Sequence, residues 1–277
     1  MPTKNVDMTG LPRRPSKPRG EGLTYVLDKG LSLREVEDLL DVSATYIDVV
    51  KLGWGTSVIT PRLEEKLGVY REAGVDAYLG GTLFEAFYLR GEIDRYLNFL
   101  RGLDIGLIEV SDGSIEIDHS EKTAIISRLS DEFVVLSEVG SKDADHITPP
   151  YRWVEMIHAE LRAGSERVIC EARESGTVGL FRPNGEVREG LVDEIVDMVG
   201  KQRVVFEAPR KAQQVWFLKH LGPNVNLANI APSEVLPLET LRLGQRGDTL
   251  LDFYQEGTAA SELRSMKGEF GPNGGAS

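Results

Sequence analysis

Residues 47–56 read IDVVKLGWGT, an apolar run rich in β-branched residues that stops at a lysine and a glycine-rich turn. Seven more runs end in a similar way, in a carboxylate, a lysine, an asparagine or a glycine cluster. They are YVLDKG (25–30), AYLGGT (77–82), IGLIEVSDGS (105–114), VVLSEVGSK (134–142), VICEARES (168–175), VVFEAPRK (204–211) and VNLANIAP (225–232). Continuous runs of this kind are typical of parallel strands covered on both faces.

The spacing of the run ends predicts how the eight runs are connected. Successive ends lie between 22 residues (229 minus 207) and 36 residues (207 minus 171) apart, enough for a strand, a loop and one crossover helix. This pattern predicts an α/β fold, a single-domain TIM-like (β/α)8 barrel whose strand ends share one mouth. The alternative is an open doubly wound sheet that binds its ligand at a topological switch point. Chemically active residues at nearly every strand end favour the barrel.

Helix starts are recognisable between the runs. Ser32 with Glu35 three residues later predicts a capping box. Thr60 before Pro61 predicts the start of the next helix. One helix is expected at about 84–102.

Composition limits the class of protein. The 277 residues carry a net charge of -12 with a single cysteine, Cys170, which argues against a disulfide framework, a nucleic-acid partner and an anionic-membrane partner, and indicates a cytoplasmic protein. We expect three segments. Residues 1–21 form a basic, Pro/Gly-rich arm that is solvated outside the barrel, residues 22–249 form the barrel, and residues 250–277 form a polar, largely flexible extension.

Glutamates close four of the apolar runs. Glu109, Glu138, Glu171 and Glu207 would be costly to bury without positive partners or a metal. Each one alone is more simply explained as a structural ion pair, and only their convergence in one mouth indicates a functional site. Oxygen ligands without a cysteine cluster or a histidine pair favour Mg²⁺ over zinc.

The glycine turns indicate an anion-binding site. Gly80, Gly81 and Thr82 let backbone N–H groups and a hydroxyl approach a ligand oxygen closely, although alone they could form only a tight turn. Basic residues near the strand ends make an anionic substrate plausible in this acidic protein.

Several motifs together resemble the phosphosulfolactate synthase family over residues 22–249. The most specific are KLGWGTS, EARESG and NLANIAP, and SEVGSK and VVFEAPRK occur in the same order. The resemblance implies a TIM-like barrel enzyme, a carbon–sulfur lyase. It would use Mg²⁺ to add sulfite to C3 of phosphoenolpyruvate, giving (2R)-phospho-3-sulfolactate for coenzyme M or sulfolactate biosynthesis. It also suggests a homo-oligomer such as a trimer.

The resemblance assigns roles to residues of this chain. Lys142, which closes SEVGSK, would protonate C2 of an enediolate that Lys51 helps to stabilise. The proposed metal ligands are Glu109, Glu138 and Glu171. The proposed substrate-binding residues are Lys29, Gly80, Gly81, Thr82, Ser111, Arg173, Arg210 and Lys211.

Two other functions remain compatible with the sequence. The same anion-binding residues could serve a barrel enzyme that adds a different nucleophile to a phosphorylated enol acid. A non-catalytic relative of the plant heat-stress-associated proteins would share the barrel without the reaction. Lys51, Lys142, Glu171 and Arg173 favour catalysis.

Overall fold

The computed structural model describes residues 5–6, 8–140 and 148–254. Eight strands follow the eight apolar runs. They are β1 Thr24–Asp28, β2 Val49–Leu52, β3 Asp76–Leu79, β4 Leu107–Val110, β5 Val134–Val139, β6 Ser165–Cys170, β7 Val204–Glu207 and β8 Leu227–Ile230.

Helices alternate with these strands. They are α1 Leu33–Ser43, α2 Leu63–Glu72, α3 Gly81–Tyr88, α4 Ile93–Gly102, α5 His119–Leu129, α6 Pro150–Ala163, α7 Glu189–Val199, α8 Lys211–Leu221 and α9 Val235–Arg242. Across the described ranges, none of these helices is long and apolar enough to span a membrane.

The strands form one parallel sheet in the order β3-β2-β1-β8-β7-β6-β5-β4. β3 and β4 stand at the ends of this order and lie beside each other, so the sheet forms a nearly closed barrel. The prediction of a single TIM-like (β/α)8 barrel is confirmed. In this fold all carboxyl strand ends open on the same face, which is the usual position of the active site.

Two apolar clusters hold the barrel. The larger lies between the strands and the helices and includes Cys170. The smaller lies inside the barrel, and its buried members are Leu23, Tyr25, Val49, Tyr78, Leu136, Ile169, Val205 and Ala228. Because successive strand residues face opposite sides, the second residue after an inward-facing one again faces inward, one layer nearer the mouth.

Local helix signals were correct in part. The capping box of Ser32 and Glu35 is present with both of its hydrogen bonds. The Thr60 start is wrong, because the Thr60 hydroxyl donates to the Thr56 carbonyl and α2 begins only at Leu63. The helix expected at 84–102 is two helices, since the chain turns at Gly91, whose φ of 66° suits glycine.

Residues 14–19 of the basic arm pack against the amino-terminal end of the barrel, which differs from the solvated tail expected. Arg14 pairs with Glu239 of α9 at 2.9 Å. Lys17 donates to the carbonyls of Ala44, Ile47 and Gly74. Composition alone could not show that these cations meet acceptors that lie far away in the sequence.

A substitution at Arg19 would show whether the arm contributes to the stability of the barrel. The Arg19 guanidinium pairs with Asp48 at 2.8 Å, and both side chains are buried. Replacing Arg19 with Met should lower the free energy of unfolding by about 3 kcal/mol, because the Asp48 carboxylate loses its buried partner.

Urea denaturation would measure this difference. Arg13→Met is the matched control, because the Arg13 side chain is exposed in the same arm, and it should change stability little. Equal stabilities of the two variants would show that the arm does not stabilise the barrel.

Candidate active site

The mouth of the barrel contains a layer of charged side chains directly above the inner apolar cluster. Lys51 lies two residues beyond Val49, and Glu138 lies two residues beyond Leu136. The same spacing places Glu171 above Ile169 and Glu207 above Val205, so strand alternation alone turns these side chains inward. The cavity has a volume of about 410 Å³. It is lined by Leu27, Lys51, Trp54, Gly81, Thr82, Glu109, Ser114, Glu138, Glu171, Arg173, Glu174, Ser175, Glu207 and Asn229.

Lys51 is surrounded by carboxylates. Its Nζ lies 3.1 Å from Glu109 Oε2, 3.5 Å from Glu207 Oε1 and 3.6 Å from Glu138 Oε2. Burial acts to lower the pKa of Lys51, but the nearby carboxylates raise it well above the usual range. Lys51 is therefore a permanent cation that compensates three buried acids.

The turn at Gly80 and Gly81 packs against the carboxylate of Glu109. The Gly81 N–H donates to Glu109 Oε1 at 2.7 Å, and a Cβ at Gly81 would lie 2.5 Å from Ser111 Cβ. Only glycine fits this position. Together with Lys51, this hydrogen bond occupies both oxygens of Glu109.

Ser111 lies behind the cavity wall. Its hydroxyl contacts Glu85 Oε1 at 2.5 Å and Glu138 Oε1 at 3.0 Å. Lys122 of α5 donates to the Glu138 carbonyl at 2.6 Å and pairs with Asp112 at 2.8 Å. The end of β5 is therefore anchored from outside the barrel.

Glu138, Glu171 and Glu207 form the cluster best suited to a metal. Each offers a carboxylate oxygen, these oxygens lie within 4.8 Å of one another, and all three residues are buried. Burial raises the pKa of Glu207, with Glu138 and Glu109 adding to the effect against Lys51. A hard divalent cation that prefers oxygen ligands, such as Mg²⁺, fits this donor set.

Three lining residues have a left-handed backbone. The φ angles are 53° at Trp54, 53° at Arg173 and 58° at Asn229. Non-glycine residues rarely adopt this conformation, and such residues cluster at functional sites. Their presence around one cavity supports its assignment as the active site.

The predicted site residues divide into those that line the cavity and those that do not. Lys51, Gly81, Thr82, Arg173, Glu109, Glu138 and Glu171 line it. Gly80 and Ser111 lie directly behind it: the Gly80 N–H donates to the Leu52 carbonyl, and Ser111 is bonded as described above.

The other basic residues lie elsewhere. Lys29 pairs with Glu174, a lining residue, and both are partly exposed. Lys211 is exposed and pairs with Asp248 at 2.8 Å, and Arg210 is exposed at the start of α8. Neither residue lines this cavity. Lys142 lies outside the described residues.

Sequence reasoning left Glu207 and Asn229 out of the proposed site. Glu207 closes its apolar run in the same way as Glu109, Glu138 and Glu171, so the sequence pattern alone could have identified it as a candidate metal ligand. Asn229 also closes a run, but its entry into the cavity depends on strand pairing.

The fold and the cavity together define a (β/α)8-barrel protein with an enzyme-type pocket at the carboxyl ends of its strands. Residues 12–248 match the family model described as (2R)-phospho-3-sulfolactate synthase (ComA). The chain belongs to this family, which confirms the resemblance seen in its motifs.

Similar proteins agree with this assignment. The phosphosulfolactate synthase of Methanocaldococcus jannaschii is 47% identical over 235 residues, covering 82% of this chain and 93% of the relative. That of Methanothermobacter thermautotrophicus is 43% identical over 245 residues, covering 86% and 95%. A solved 3-hexulose-6-phosphate synthase from Salmonella typhimurium superposes with a TM-score of 0.51 at 12% identity, covering 80% of this chain and 99% of that one. This last likeness supports the fold alone.

Removing Lys51 should destabilise the barrel in a pH-dependent way. In Lys51→Met the buried carboxylates lose their shared cation, and we expect a loss of about 3 kcal/mol near neutral pH. Burial already raises the pKa of Glu207 and Lys51 opposes this effect, so without Lys51 that pKa should rise further in the folded state, while the unfolded value stays at about 4.3. The folded protein then binds more protons than the unfolded chain, so stability falls as pH rises.

Urea denaturation at pH 5 and pH 8 would check this prediction. The deficit relative to the parent should be larger at pH 8. Lys29→Met is the control, since its pair with Glu174 is partly exposed and should matter little. A deficit that does not depend on pH would contradict the charge-compensation role of Lys51.

Proposed function

We propose that this chain is a phosphosulfolactate synthase that adds sulfite to C3 of phosphoenolpyruvate and yields (2R)-phospho-3-sulfolactate. The observation that carries the proposal is the convergence of Lys51, Arg173 and the carboxylate cluster in one cavity of a barrel that belongs to this family. The charged layer provides cationic groups for anionic substrates and oxygen ligands for a metal.

The reaction requires stabilisation of a growing negative charge. Sulfur forms a bond to C3, and the electron pair of the carbon–carbon double bond moves through C2 into the carboxylate as an enediolate. A proton then adds to C2, and the phosphate ester remains in place. Lys51 stays cationic in its carboxylate ring and supplies electrostatic stabilisation where this charge develops. Arg173, exposed at the rim, offers a planar fork suited to a phosphate or sulfite oxyanion.

Lys142 is our proposed proton donor to C2. Its support is the match of SEVGSK to the family motif and its place three residues after the end of β5. A positioned lysine ammonium group can serve as a general acid that transfers its proton to the substrate.

Charge balance supports a metal in the site. The lining residues include five carboxylates, Glu109, Glu138, Glu171, Glu174 and Glu207, against two cations, Lys51 and Arg173. This formal excess of three negative charges, which falls to two when the Lys29 partner of Glu174 is counted, opposes the binding of two anionic substrates. Glu138, Glu171 and Glu207 would hold Mg²⁺, with Glu207 in place of Glu109, because carboxylate oxygens of these three residues lie within 4.8 Å of one another. When bound, Mg²⁺ supplies positive charge that offsets the anionic groups of the substrate.

Omission of one component at a time tests the proposed reaction. We expect the purified protein to form phosphosulfolactate from phosphoenolpyruvate, sulfite and Mg²⁺, detected by mass spectrometry, and to lose the product when any one is left out or when EDTA is added. Consumption of phosphoenolpyruvate without sulfite would indicate a different nucleophile. No turnover with all three present would favour a non-catalytic role.

Replacing Lys142 with Ala should reduce kcat by at least about a hundredfold, the range of general acid catalysis. The far-ultraviolet circular dichroism and the melting temperature should stay unchanged. Lys211→Ala is the matched control, because Lys211 pairs with Asp248 away from the cavity, and it should keep most of the activity. Full activity of Lys142→Ala would rule out this proton donor.

The metal ligands can be separated by binding measurements. Mn²⁺ titrations followed by electron paramagnetic resonance should show binding weakened about tenfold or more in Glu207→Gln, and much less in Glu109→Gln. The reverse order would place Glu109 in the metal site. Equal, unchanged affinities would argue against this carboxylate cluster as the binding site.

A further inference from the structure

The last strand of the barrel contains a β-bulge next to the cavity. In the ladder between β1 and β8, Thr24 pairs with Leu227 and Val26 pairs with Ile230. Two steps along β1 therefore match three steps along β8, which leaves one extra residue on β8. Bulges often lie beside active sites, where they re-aim a side chain.

This bulge breaks the alternation of side chains along β8. Leu227 and Ile230 both pack in the outer cluster between strands and helices. Ala228 belongs to the inner cluster, yet its neighbour Asn229 lines the cavity instead of facing outward. The left-handed φ of 58° at Asn229 accompanies this change of direction.

The amide oxygen of Asn229 has no hydrogen-bond donor among the described residues. The residue is 8% exposed, and this oxygen is itself buried. A buried acceptor without a donor destabilises the folded state. The bulge, the left-handed backbone and the unsatisfied amide thus all lie at one residue, which lines the cavity.

We propose that Asn229 is a substrate-contacting residue whose amide oxygen accepts a hydrogen bond from a protonated oxygen of an anionic ligand. This inference rests on the proposed function, which supplies two ligands of that chemistry. One is hydrogen sulfite, and the other is the monoprotonated phosphate group of phosphoenolpyruvate. Asn229 would favour ligands that carry a protonated oxygen over ligands that do not, because a ligand without this donor leaves the buried amide oxygen unpaired.

The test uses Asn229→Gly in the full-length protein. Glycine accepts the left-handed backbone without strain and removes an unsatisfied amide, so the melting temperature should not fall. The KM for the ligand that Asn229 contacts should rise about tenfold, the effect of losing a hydrogen bond to a charged group. Separate KM values for sulfite and for phosphoenolpyruvate identify which of the two it is.

Two further variants sharpen the result. Asn229→Asp keeps an oxygen acceptor but adds negative charge, so it should weaken binding of the same anion at least as much as glycine does. Asp104→Gly is the matched control, because Asp104 also has a left-handed φ of 54° but is not a lining residue. It should leave both KM values unchanged.

Thermal shifts with sulfite alone or phosphoenolpyruvate alone provide a readout independent of turnover. Suppose the parent is inactive, one anion raises its melting temperature, and Asn229→Gly loses that shift. This result would support the contact between Asn229 and the anion and would contradict the proposed reaction. Suppose instead that the parent is active and that Asn229→Gly keeps both KM values and both thermal shifts within about twofold. This result would contradict the Asn229 contact and leave the proposed reaction supported. A parent that is inactive and stabilised by neither anion overturns both. A lowered melting temperature with unchanged KM values would show that Asn229 is only structural.

Discussion

The burial of several carboxylates around a single ammonium group is the constraint on which the rest of this structure depends. Charged groups are strongly disfavoured away from water unless they are paired and hydrogen-bonded. Lys51 contacts Glu109, Glu207 and Glu138, and Gly81 satisfies Glu109 from the backbone. These contacts need the ends of five strands, β2, β3, β4, β5 and β7, at matching positions along the barrel axis, which a closed barrel provides.

The alternation of side chains along each strand sets the level at which each charged group lies in the barrel. An apolar layer fills its interior, and the charged layer lies two residues further along several of the same strands. The apolar layer closes the cavity on the side away from the mouth and keeps the charges in an environment of low polarity, where electrostatic interactions are stronger. Outside the barrel, Lys122 anchors the carbonyl of Glu138, so the position of a site residue also depends on helix packing.

The excess of negative charge in the cavity opposes the binding of anionic substrates, so the site would need a bound cation to use them. A divalent metal held by Glu138, Glu171 and Glu207 would offset most of this negative charge, while Lys51 remains cationic beside it. The left-handed residues Trp54, Arg173 and Asn229 place an aromatic ring, a guanidinium group and an amide around the same space. Local backbone strain of this kind persists when the surrounding fold holds it in place.

The sequence by itself determined the fold, the family and most strand ends that carry the site, because apolar periodicity and short motifs are local properties of the chain. It also determined the Ser32 capping box, whose hydrogen bonds lie within one helical turn. Only the tertiary structure decided that Lys29 lies in a partly exposed pair with Glu174, that Arg210 and Lys211 lie away from the cavity, and that the arm packs under the barrel. It also decided that Glu207 joins the carboxylate cluster and that Asn229 enters the cavity. These features depend on strand register, on a bulge and on contacts between residues far apart in the chain, which no local pattern specifies.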